Sequence, residues 1–172
     1  MSASLEVVAD KVKDIRLHVE NNSNRIDEIV SDIIQPYCAE LDQFVKYVDD
    51  IIRKEEPPTD EQLDDFILNL STCIYFASGA VENLGIRDDI SKAVYKEMYH
   101  SSRATIDKGT VADKDSLAEL ASQQEYVINV CYNRAWRLLK SKVESAQELL
   151  GSCKKVLTRR MTEAELTRMN IH

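Results

Sequence analysis

Apolar residues recur along this chain every three or four positions, and alternation at every second position is essentially absent. The sharpest run is Leu5, Val8, Val12, Ile15, Val19, Asn22, Ile26, Ile29 and Ile33, which holds its spacing through four heptads with Asn22 as the only polar member. Such a 3–4 repeat predicts a helix with a coiled-coil seam. β-branched residues at both seam positions favour assemblies larger than a dimer, and a buried Asn fixes register. The alternative is an ordinary amphipathic helix lying on the rest of the domain, because helix packing reuses these spacings. Asn21, Asn22, Ser23 and Asn24 favour caps and turns and mark a candidate interruption.

Pro36 lacks an N–H and clashes with the preceding turn, so it is expected to bend or restart the helix. Tyr37, Leu41, Phe44, Val48 and Ile51 carry the stripe on to EEPPTDEQ, where Pro57 and Pro58 make residues 55–58 the best linker. Thr59 and Gln62 form a capping-box signature. Leu63, Phe66, Ile67, Leu70, Ile74, Ala77, Val81 and Leu84 give the buried face of the next helix, and Gly85 its expected stop. Asp88 or Asp89 then caps another helix that ends before Gly109. Thr110 or Asp113 caps the longest one, expected from about Lys114 to Met161 and weakened at Gly151. Thr162 and Glu165 signal a short tail helix. The expected fold is all-α, a long-helix hairpin or bundle with an N-terminal coiled-coil-like arm. Its expected parts are an arm over 1–56, the oligomerisation region, and a helical core over 59–172.

Composition agrees with that class, since only 4 Gly and 3 Pro punctuate 172 residues. Charge changes the picture more. Residues 1–86 carry 7 basic and 18 acidic side chains, and residues 87–172 carry 15 and 12, so a formal net charge of -8 hides halves of -11 and +3. This polarity predicts an anionic partner for the C-terminal half or head-to-tail contact between subunits. Cys38, Cys73, Cys131 and Cys153 stand far apart beside apolar residues and read as reduced, mostly buried thiols. The longest apolar run, Cys73 to Ala80, is too short to cross a bilayer, so no membrane partner is expected and the protein is placed in the cytoplasm.

Candidate chemistry is sparse. Glu97 and His100 form an E-x-x-H, but a di-iron bundle needs a second such pair and two further Glu residues. Asp49-Asp50, Asp64-Asp65 and Asp88-Asp89 point about 100° apart on a helix and read as solvated faces or caps. No phosphate-cradling Gly loop, nucleophile elbow or zinc ligand set is present in the sequence. A non-enzymatic protein with neither metal nor cofactor is expected.

The stretch RAWRLLKSKVESAQELLGSCKKVLTRRM, residues 134–161, holds eight basic side chains against Glu144 and Glu148. On a helical wheel Trp136, Leu139, Val143, Ala146, Leu150, Cys153, Leu157 and Met161 share one apolar face. Arg134, Arg137, Lys155 and Arg159 lie opposite. Lys142 and Arg160 fall within the apolar arc, where they snorkel from a subunit contact or face a groove. By charge and placement, Arg134, Arg137, Lys140, Lys154, Lys155, Arg159 and Arg160 are the candidate nucleic-acid-binding residues. Several cations on one rigid helix neutralise phosphates and release counterions, and a solvated face is the competing reading. Trp136, Tyr126 and Tyr132 are either stacking surfaces for bases or core residues.

The segment from Leu63 to Met161 resembles small helical proteins encoded by tailed bacteriophages of Gram-positive hosts, most clearly at GTVADK and LAELASQQEY. The plan is similar to the UvsY-type recombination mediators of T4-like phages. That resemblance implies an oligomeric protein that binds single-stranded DNA and helps load a recombinase in the host-cell cytoplasm. The rival expectations are an anti-defence or host-enzyme inhibitor acting on a host protein, and a virion or assembly component using the coiled coil structurally.

Overall fold

A computed structural model describes residues 2–54 and 57–169; for residues 2–15 the description extends to the backbone alone. The helices are α1 (Ser2–Ile52), α2 (Asp60–Thr105), α3 (Val111–Ala121) and α4 (Gln123–Met169). No strand occurs among the described residues, and the all-α expectation holds.

Three long helices share one elongated core. Near the α1–α2 turn, Val48 and Ile51 meet Leu63, Phe66 and Cys153. The next layer joins Leu41 to Leu70, Ile74, Ala77, Val143 and Ala146. Above it Val30, Ile34 and Cys38 pack with Ala80, Leu84, Ala135 and Leu139. Rising numbers in α1 therefore meet falling numbers in α2, and α4 again opposes α2. The 3–4 repeat dictates this geometry, since it gives each helix an apolar face broad enough for two neighbours.

Several boundaries differ from the sequence reading, for identifiable reasons. α1 passes through Pro36 and the Asn21–Asn24 cluster without a break. Both sides of Pro36 are held by packing, at Ile34 on one side and at Cys38 and Leu41 on the other. The division at residue 56 separates segments of chain, but the core crosses it and takes Val30 to Ile51 from α1. Gly85 does not end α2. It lies inside the helix, where a Cβ would sit 3.3 Å from Trp136 Nε1, so its small size serves the α2–α4 approach. The helix expected from Lys114 to Met161 is divided at Ser122, which is fully buried. Its hydroxyl donates back to the Ala118 carbonyl at 2.8 Å, sharing that acceptor with the Ser122 N–H at 3.0 Å, the kind of side-chain bond that competes with the helical ladder. No separate tail helix forms, because α4 runs through Thr162 and Gly151 to Met169.

Two caps appear where the sequence signalled them. The Thr59 hydroxyl accepts from Gln62 N–H while the Gln62 side chain accepts from Thr59 N–H. Thr110 and Asp113 make the same reciprocal pair at α3. Hydrogen bonds from the Thr110 backbone and hydroxyl hold the Asp113 carboxyl below its ordinary range. Gly109, at φ 119°, supplies the left-handed residue that this turn requires.

Candidate interaction surfaces

The basic side chains of α4 fall into two groups. Arg134, Arg137, Lys140, Lys154, Lys155 and Arg159 are exposed, and Arg160 is half-buried. Arg160 donates to the Pro58 carbonyl at 2.7 Å and to Asp60 at 2.9 Å, so it ties α4 to the start of α2. Lys142 reaches Asp42 of α1 at 2.6 Å. The apolar-arc position of these two is thus explained by grooves within the chain. Arg134 approaches Asp27 at 3.6 Å, Lys140 approaches Glu144 at 4.0 Å, and Arg159 approaches Glu163 at 3.6 Å. Arg137, Lys154 and Lys155 have no carboxylate within ion-pair distance among the described residues. Exposed pairs of this kind are worth about 0–1 kcal/mol, so a phosphate can displace the carboxylate at small cost.

The aromatic residues divide similarly. Trp136 packs against the upper core cluster and carries Lys140 Nζ 5.4 Å from its ring centroid. Tyr132 also packs on that cluster. Tyr126 is exposed and pairs with Tyr95 at 5.5 Å between centroids. Together with Ser116, Glu119, Leu120 and Gln123 they line an open cleft of about 530 Å³ where α2, α3 and α4 meet.

Beneath that cleft lies a polar layer that the sequence reading missed. Asp88, read as a cap, is 9% exposed inside α2. Its carboxylate accepts from Asn129 Nδ2 at 3.1 Å and from Asn133 Nδ2 at 3.0 Å. Ser91 Oγ donates to the Asp88 carbonyl and accepts from Asn129. The signal was Asn129 and Asn133 four apart on α4, where one face presents two amides to a single acceptor. Next to it, Asp115 accepts from Tyr99 and Arg103 and fixes α3 to α2. Desolvation and the Asp115 charge push the Tyr99 phenol up.

Of the expected seam, Leu5, Val8, Val12 and Ile15 have side chains outside the described residues. Ile26 and Ile33 pack on the chain's own upper core cluster. Val19 is 61% exposed, Ile29 is 45% exposed, and Asn22 is exposed, its side-chain amide 3.1 Å from the His18 ring. Burial pushes all four Cys thiols up, chiefly by desolvation, which keeps them protonated and unreactive near neutrality. No group of three potential metal-ligating side chains occurs among the described residues, and Glu97 and His100 belong to no such set. No described helix is long and apolar enough to cross a membrane.

No family model, curated protein or solved structure matches the chain.

Proposed function

We propose that this protein is a non-enzymatic, self-associating accessory of phage recombination or replication that binds single-stranded DNA and a recombinase. One observation carries the reading: six basic side chains, Arg134, Arg137, Lys140, Lys154, Lys155 and Arg159, stay exposed along one helix. From residue 134 to 159 they span about 38 Å at 1.5 Å per residue. A rigid row of cations tracks a phosphate backbone without reading bases, so binding is indifferent to sequence. The acidic side chains Asp49, Asp50, Asp64 and Asp65, exposed near the α1–α2 turn, supply an acidic face for a basic protein partner. That face also supports the second reading, an inhibitor directed at a host protein.

A fluorescent single-stranded oligonucleotide titrated over a salt series tests the proposal. Arg137→Gln, Lys154→Gln and Lys155→Gln together remove three phosphate contacts, and the log–log salt slope should fall by about 2, at roughly 0.7 per contact. Absence of binding at low salt would retire the DNA reading and leave the acidic face as the working surface.

A further inference from the structure

The open cleft where α2, α3 and α4 meet has walls of unlike chemistry. Ser116, Glu119 and Leu120 stand three and four positions apart on α3 and share one of its faces, and Gln123 and Tyr126 are likewise neighbours on α4. Tyr95 of α2 completes the lining. Its ring meets that of Tyr126 with 5.5 Å between centroids and a tilt of 57°. Tyr126 is 51% exposed and Leu120 68% exposed, so apolar and aromatic surface stands open to a ligand.

These walls are fixed before anything binds. The Thr110 and Asp113 capping box starts α3, and Asp115 accepts from Tyr99 and Arg103, one and two turns beyond Tyr95 on α2. Ala118 and Ser122, both fully buried, seat the rest of α3. A site held in this way loses little freedom when it is filled.

Charge decides what the cleft takes. Glu119 is its one charged lining residue, and no basic side chain lies within ion-pair distance of it among the described residues. Glu125, the residue before Tyr126, buries a carboxylate oxygen that has no hydrogen-bond partner among the described residues. Asp115, by contrast, is already answered by Arg103. Negative charge thus stays unbalanced beside two aromatic rings, whose faces attract cations.

We infer that the cleft binds a guanidinium group, carried either by a free small molecule or by an arginine of a polypeptide. The planar head has five N–H donors and no acceptor, and it stacks on aromatic faces. Tyr95 and Tyr126 supply those faces, Glu119 the opposite charge, and the Gln123 carbonyl and Ser116 hydroxyl two further acceptors. Leu120 receives the methylene stem. At about 530 Å³ the cleft has the size of an ordinary ligand site. None of these residues belongs to the basic row of α4, so this site and the DNA reading fail independently.

Ligand-observed NMR titrations of the full chain at low salt test the inference, using propylguanidinium, its neutral isostere propylurea and the peptide Gly-Gly-Arg-Gly-Gly. Propylguanidinium should bind and propylurea should not. Tyr126→Leu and Glu119→Gln should each weaken propylguanidinium about tenfold, whereas Tyr126→Phe keeps the ring and should bind as the parent does. Both positions are exposed, so the variants should stay folded, which circular dichroism checks. Peptide binding at least as tight as that of the free cation assigns the group to a polypeptide, and binding of the free cation alone assigns it to a small molecule. Equal binding of propylurea overturns the inference. So does propylguanidinium binding that neither Tyr126→Leu nor Glu119→Gln moves, or the absence of binding by both guanidinium probes.

Discussion

The two halves of this rod are built from the same helices and differ in what lies between them. From the α1–α2 turn up to Leu84, three helices contribute to every layer, and Phe66, Leu70, Leu84 and Leu139 are almost fully buried. Beyond Leu84, α1 departs, a carboxylate and two amides fill the interior, and Ile86, Ile90, Val94 and Met98 face outward. The lower half is a finished core. The upper half leaves apolar side chains exposed.

Truncation should expose that difference most strongly. Phe66→Ala removes a fully buried ring shared with Val48, Ile51 and Cys153, and should cost about 3–5 kcal/mol. Val94→Ala, at a side chain 46% exposed, should cost less than about 0.5 kcal/mol. Urea melts of the two variants decide the matter. A large loss at Val94 would mean that this side chain is covered in solution.

The polar layer sharpens the comparison at an intermediate scale. Asp88→Ala removes the carboxylate acceptor of the Asn133 amide in a part-buried setting, at about 1–3 kcal/mol for the group left unpaired, while Asn129 keeps Ser91 Oγ and the residue-88 carbonyl as acceptors. Asp88→Asn keeps an acceptor for one amide and should lie between the parent and Asp88→Ala. Equal stability of all three would show that water serves the layer as well as the carboxylate does.

Legibility followed the same division. The lower core was readable because Leu63, Phe66, Leu70, Ile74 and Ala77 repeat on one face, and periodicity alone assigns such residues. Thr59 with Gln62 and Thr110 with Asp113 were readable because a capping box is local chemistry. Gly85 and Asp88 were misread for a common reason. Each has a local meaning, a stop and a cap, that is overridden by a residue of α4 more than forty positions away, Trp136 for one and Asn133 for the other. The pairing of Lys142 with Asp42 and of Arg160 with Asp60 was beyond sequence as well, since partners about 100 residues apart are joined by the fold alone.

The smallest effect tests that account of glycine. Gly151 and Gly85 both lie inside helices, where replacing Gly by Ala gains about 1 kcal/mol through reduced backbone freedom in the unfolded chain. At Gly151 a Cβ meets nothing within 4 Å, so Gly151→Ala should realise most of that gain. At Gly85 the Cβ arrives 3.3 Å from the Trp136 indole, and the ring must yield by a few tenths of an ångström within the packed upper cluster. The gain there should be offset in part or in full, and Trp136 fluorescence should shift in Gly85→Ala alone. Equal stabilisation of both variants with unchanged fluorescence would mean that Gly85 owes nothing to the tryptophan, and that the α2–α4 approach is set by the flanking Leu84 and Ala135 layers instead.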